Sequence, residues 1–179
     1  LDSRKNDYIK GVPGAWKKAM HSVEKLCQEG IRVGVALTIS QLNLYEATKV
    51  TNYFLQKKTP IWYSLYSFDP SDAGCQLFKI GKQNDEFVIT DKKAMVELCD
   101  SIMELKKKHS QVLMTDKILK AVRTLYSENT RTWTCQALQT FLMVDHLGNV
   151  AGCHLYDPVA TIYDLPKVWD SEKFTNLRS

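Results

Sequence analysis

The sequence predicts an α/β fold: a partial (β/α) barrel with parallel strands, followed by a small α+β region built around a β-hairpin. Three features lead there. Two short, mostly apolar runs, Ile31–Thr38 and Ile61–Ser67, alternate with amphipathic helical stretches, as buried parallel strands with crossover helices do. Right-handed crossovers make such strands neighbours by default. Further on, Thr140–Val144 and Asn149–Cys153 flank Asp145-His-Leu-Gly148. Gly148 supplies the positive φ of a tight turn, and Asp145 can cap it with its own carboxylate.

Taken in order, Pro13-Gly14 precedes a helix over about Ala15 to Glu29, with Trp16, Ala19, Met20, Val23, Leu26 and Cys27 on one stripe. Gly30 suits its C′ position. After the first strand, a second helix spans about Leu44 to Lys57, with Leu44, Ala47, Thr51, Phe54 and Leu55 facing inward, until Thr59-Pro60 breaks it. The second strand runs into a loop at Asp69–Gly74, and Phe87–Ile89 is a candidate short extended piece. Thr90-Asp91 caps a long helix to about His109, with Met95, Val96, Cys99, Ile102 and Met103 as its core stripe. A further helix covers about Asp116 to Tyr126 and ends in the polar connector Ser127–Arg131. A domain boundary belongs there, dividing 1–126 from 127–179. Two parallel strands cannot close a barrel, so the first domain reads as the second half of a larger one.

Composition narrows the class. The 179 residues are 44% hydrophobic and 25% charged with a net charge of +4, enough for a packed core and too little for a nucleic-acid footprint. Lys106-Lys107-Lys108-His109 is the one basic run, and it closes a predicted helix, where cations offset the macrodipole. No apolar stretch approaches the ~18 residues of a membrane span. Cys27, Cys75, Cys99, Cys135 and Cys153 are odd in number and irregularly spaced, which argues for a reducing, cytoplasmic setting over a disulfide scaffold. Cys27 and Cys99 sit on apolar helix faces as small buried hydrophobes. Cys75 lies in a loop with no assigned role. The chain opens on Leu1-Asp2-Ser3 without Met and reads as an internal segment.

Cys135 and Cys153 bracket the hairpin in the pattern C-x12-G-x4-C, and Trp169, Phe174, Leu177 and Arg178 follow as W-x4-F-x2-L-R. Together these resemble the start of the auxiliary iron–sulfur region of radical S-adenosylmethionine (radical SAM) enzymes of the SPASM/twitch group. Leu1-Asp2-Ser3, Lys10-Gly11 and Ser40-Gln-Leu-Asn43 are similar to that family's fourth-strand end, its helix-opening element and its loop after the fifth strand. The resemblance implies a parent enzyme that uses [4Fe–4S] clusters and S-adenosylmethionine. Its substrate would be a peptide or small molecule, its reductant a ferredoxin or flavodoxin, and it would act by radical chemistry in modifying a peptide or building a cofactor. Neither nucleic acid nor membrane is implied as a partner.

On that resemblance Cys135 and Cys153 ligate an auxiliary cluster, while Lys10, Ser40 and Asn43 contact S-adenosylmethionine. No catalytic residue can be named. Other jobs suit the same side chains. Ser40 and Asn43 fit N-caps of the second helix, and Lys10 fits a plain surface lysine. Cys135 and Cys153 fit buried hairpin thiols or, with His146 and His154, a zinc site lacking the usual short C-x2-C spacing. The family's C-x3-C-x2-C loop and glycine-rich segment are absent from the 179 residues, so the segment by itself should not cleave S-adenosylmethionine or bind a cluster stably. The alternative function is a non-catalytic metal- or peptide-binding module.

Overall fold

The computed structural model describes residues 2–69, 81–153 and 157–178. The fold is mixed α/β, and the chain divides into two units: Leu1–Tyr66 with Glu86–Thr132, and Ser67–Asp85 with Trp133–Ser179. The second unit thus includes 67–85 as well as the residues beyond the connector.

The first unit opens on helix α1 (Ser3–Lys10), which the sequence reading lacked. Asp2 caps it, accepting from the Arg4 and Lys5 amides at 2.9 and 3.3 Å. Gly11, at φ 63°, ends it. Helix α2 (Ala15–Gln28) follows after a short turn. No residue of α2 caps its start; Asp7 of α1 does so, taking the Gly14 and Trp16 amides at 2.7 and 2.8 Å. Only Met20 and Val23 of the predicted stripe pack on the core. Leu26 and Cys27 are exposed, so the expected burial of Cys27 is corrected. Periodicity marks the apolar face of a helix, and here the covering neighbours stop short of its last turn.

Strand β1 (Val35–Ile39) starts later than expected and pairs in parallel with β2 (Ile61–Leu65), Val35 opposite Ile61 and Ile39 opposite Leu65. Between them a 3-10 turn (Leu44–Glu46) leads into α3 (Ala47–Gln56). All five inward residues expected of this stretch are buried. Lys58, at φ 54°, turns the chain out of the helix, and the Thr59 amide returns to the Phe54 carbonyl. Further along come α4 (Lys92–Lys108), capped by Asp91 through the Ala94 amide, and α5 (Asp116–Glu128), capped by Thr115 through the Ile118 amide. Cys99 is buried in α4 as expected, and burial, then the neighbouring Asp100, pushes its thiol up to about 11. Between α4 and α5, Val112 forms a one-residue parallel bridge to Ile61 that the sequence did not reveal.

Val35, Leu37 and Ile39 alternate with Ala36 and Thr38 along β1, and Ile61, Tyr63 and Leu65 alternate with Trp62 and Ser64 along β2. The first group joins the core with α3, α4 and α5. The second is exposed. The parallel pair is therefore covered on one face, not on both as its apolar sequence suggested. Among the described residues a closed or half-closed barrel is not seen.

In the second unit, β3 (Phe68–Asp69) and β4 (Gly81–Lys82) make a two-residue parallel pair. The predicted hairpin is present as β5 (Met143–Val144) and β6 (Asn149–Ala151), Val144 opposite Val150. An unforeseen strand, β7 (Ala160–Thr161), adds to the other edge of β6. Helices α6 (Leu165–Val168) and α7 (Glu172–Arg178) follow. Phe174 is fully buried with its ring 5.9 Å from that of Trp169. No helix among the described residues is long and apolar enough to cross a membrane.

Candidate functional site

Each unit holds one group of predicted site residues. In the first, the loop leaving the C-terminal end of β1 carries Ser40 and Asn43. Asn43 holds the N-cap position of the 3-10 turn, but neither side chain makes a capping hydrogen bond. Asn43 sits where the 3-10 turn begins, yet its side chain turns back: Oδ1 accepts from the Ser40 amide at 2.9 Å and Nδ2 donates to the Thr38 carbonyl at 2.8 Å. The Asn43 amide adds a 3.2 Å bond to the Ser40 carbonyl. Asn43 thus brackets the strand end, and its amide group is already engaged.

Ser40 is different. It is 2% exposed, and its hydroxyl oxygen is the buried side-chain atom left without a hydrogen-bond partner among the described residues. Such an atom costs about 1–3 kcal/mol unless a water or ligand meets it; Asn43, and not Ser40, lines the nearby cleft.

A cleft of about 50 Å³ lies near this strand end, lined by Asp2, Lys5, Trp16, Asn43 and Glu46 among others. The Lys5 ammonium bonds the Glu46 carboxylate across it. The two amides that cap onto Asp2 hold its carboxyl below the ordinary range, the Lys5 amide most strongly. Lys10 is exposed on the last turn of α1 and is not among the cleft residues. Sequence reasoning missed Gln41 and Tyr45, which tie the same loop to α4. Gln41 Oε1 accepts from the Thr90 amide, the Thr90 hydroxyl and the Asp91 amide at 2.8, 3.2 and 3.0 Å. The Tyr45 hydroxyl donates to Asp91, which raises the phenol's pKa and helps lower the carboxyl's, after the larger contribution of the Ala94 amide. These pairings join residues some fifty apart, so no local pattern announces them.

In the second unit, the hairpin turn is built as its sequence suggested. Gly148 has φ 82°. Asp145 Oδ1 accepts from the Leu147 and Asn149 amides, both at 2.8 Å, and Oδ2 from the Asn149 side chain at 2.9 Å. These bonds, the Asn149 side chain first, lower the Asp145 pKa. Cys153 lies two residues past β6 and is half-buried, whereas Cys135 is exposed in the segment before the hairpin. Their thiols are the right kind of donor for an iron–sulfur cluster and half the usual number. No group of three or more His, Cys, Asp or Glu side chains suited to a metal occurs among the described residues. His154 and Cys75 lie outside them.

Between the cysteines, Leu138 takes a left-handed conformation (φ 60°) and is 2% exposed. A Cβ at Gly152 would come within 3.1 Å of its side chain. The residue before Cys153 is thus a glycine because the segment after Cys135 packs onto its backbone. No protein family matches the chain, and no curated protein or solved structure does so either.

Proposed function

We propose that these residues belong to a radical SAM enzyme of the SPASM/twitch type, contributing part of its (β/α) barrel and the opening of an auxiliary-cluster region. The observation that carries this reading is the one-sided parallel pair. In a (β/α) barrel, alternate strand residues face the helices and the barrel interior. Here the helix-facing set is apolar and buried. The other set, Ala36, Thr38, Trp62 and Ser64, is small or amphipathic and exposed, as side chains bordering a ligand cavity would be. Ser40, with its unmatched oxygen, follows the C-terminal end of β1, the end at which such barrels build their sites.

On this reading the reducing cluster is held by a loop that these 179 residues do not contain, and with S-adenosylmethionine it supplies one-electron reductive chemistry. The chain's own part is to bind and position. Ser40 offers a hydroxyl to the ligand, Asn43 fixes the Ser40 backbone, and Lys10 is a cation available to a carboxylate. Cys135 and Cys153 donate two thiolates to an auxiliary cluster whose other ligands come from elsewhere in the polypeptide. A ferredoxin or flavodoxin would serve as reductant in the cytoplasm, and the substrate would be a peptide or small molecule.

The test is iron and sulfide content of the full-length protein after anaerobic reconstitution, compared with Cys135→Ala/Cys153→Ala. The double variant should lose about 4 Fe per chain, one [4Fe–4S] centre. Equal iron in both proteins would leave the two cysteines as ordinary thiols and favour a non-catalytic binding module.

A further inference from the structure

Helices α4 and α5 run antiparallel and are fastened by two cross-helix ion pairs. Arg123 holds Asp100 through Nε and Nη2 at 2.8 and 3.3 Å, and the Lys106 ammonium meets Asp116 at 3.0 Å. A groove of about 430 Å³ lies along the two helices there, lined by Met103, Glu104, Lys107 and Lys120 besides members of both pairs. Midway between the pairs, Met103 on α4 and Lys120 on α5 take the place of a third rung. Here the charge pairing fails. Glu104 is engaged by Lys107 of its own helix, and exposed Lys120 has no ion pair among the described residues.

Met103 thus offers a soft apolar wall, and Lys120 a charge that no carboxylate of this groove meets. A glutamate side chain matches both, with two methylenes for the wall and a carboxylate for the ammonium. We infer that the α4–α5 groove docks an acidic segment of a partner protein, one of whose glutamates completes the rung at Lys120. Lys108 and Lys117, both exposed on the adjoining turns, extend the positive surface to neighbouring acids of that segment. The alternation of charge selects the class of partner. Asp100, Glu104 and Asp116 stand among the lysines, and a nucleic-acid backbone or an anionic lipid surface would set phosphates against them. A polypeptide can place its carboxylates at the lysines and leave the acids facing neutral groups. Nothing in this site depends on the radical SAM reading above.

The experiment is fluorescence anisotropy of a fluorescein-labelled, glutamate-rich peptide titrated with the full-length protein at low ionic strength. The wild type should bind it, and should not bind the same peptide with glutamine in place of glutamate. Lys120→Ala should weaken binding about tenfold. Met103→Glu supplies the missing carboxylate from within and should abolish binding while circular dichroism shows the helices intact. Met103 also packs against the core, so Lys120→Ala, at an exposed position, carries the test if Met103→Glu does not fold. Lys17→Ala/Lys18→Ala, which removes two exposed charges from α2, should bind as the wild type does.

A wild type that ignores the peptide, or a Lys120→Ala protein that binds it no more weakly than Lys17→Ala/Lys18→Ala does, would overturn the docking site. Tighter, Lys120-dependent binding of a labelled oligonucleotide or of phosphatidylserine vesicles would overturn the choice of partner. Each of these results leaves the radical SAM reading untouched.

Discussion

Asp145 shows how one side chain can write its own turn. Its carboxylate gathers two amides and the Asn149 side chain within five residues, so everything it needs is adjacent in sequence, and the hairpin was legible for that reason. Because these bonds lower its pKa, the folded state holds the ionised form better than the unfolded chain, whose Asp titrates near 3.9. The resulting stabilisation is present above that value and is lost as pH falls through the lowered folded pKa. Thermal midpoints of wild type and Asp145→Asn should therefore differ at pH 7 and converge below about pH 4; a gap constant down to pH 2 would contradict this. Leu138 and Gly152 stand at the opposite extreme. Their contact joins a left-handed leucine to a glycine fourteen positions on, and nothing in either neighbourhood signals it. Gly152→Ala should destabilise the second unit by about 1–3 kcal/mol through overpacking, read as a lower denaturant midpoint. An unchanged midpoint would mean that Leu138 can give way.

At the scale of elements, helix α3 was readable because its inward residues recur at helical spacing and every one of them meets the core. Helix α1 was not, because it buries no residue and so carries no stripe to read. Strand β7 and the bridge at Val112 are too short for any period. The Cys27 expectation failed for a related reason: a stripe gives direction and not extent. Helix α3 also carries a buried polar pair. Thr51 donates to the Ala47 carbonyl and shares a 2.8 Å hydrogen bond with the Tyr63 hydroxyl of β2. The two halves of this pair are not equivalent. Thr51→Val strands a buried phenol, at a cost of about 1–3 kcal/mol, whereas Tyr63→Phe leaves Thr51 its carbonyl and costs about 0.5–1.5. Chemical denaturation should rank them in that order, with the double variant more stable than Thr51→Val alone. The reverse order would mean that packing at position 63 outweighs the hydrogen bond.

For the whole molecule, the site residues fall into a strand-end group and a hairpin group, each in its own unit. Sequence reading reached Ser40 and Asn43 but gave them equal roles. The fold separates them, because Asn43's amide is consumed by the backbone while Ser40's hydroxyl is not. The first unit also presents an open strand edge. Among the described residues β1 pairs with β2 alone, leaving its outer edge unpaired in the sheet, and an unprotected edge is a template for self-association. The 179-residue chain on its own should therefore sediment as concentration-dependent oligomers. Ala36→Lys, which places a charge on exposed β1 backbone, should shift it toward monomer. A monomer at all concentrations without the substitution would remove the edge from consideration.

The bare face of the parallel pair also bears on synthesis. The span Val35–Leu65 contains both strands and the helix between them, so the pair can close soon after it leaves the ribosome, within a few seconds at roughly 5–20 residues per second. Its outer face shows Ala36, Thr38 and Ser64, with Trp62, 40% exposed, as the one large apolar side chain. Its inner face, lined by Ile39, Ile61 and Tyr63, has only α3 over it until α4 and α5 are made. A chaperone thus meets a single indole on one side and, until those helices arrive, an apolar sheet face on the other.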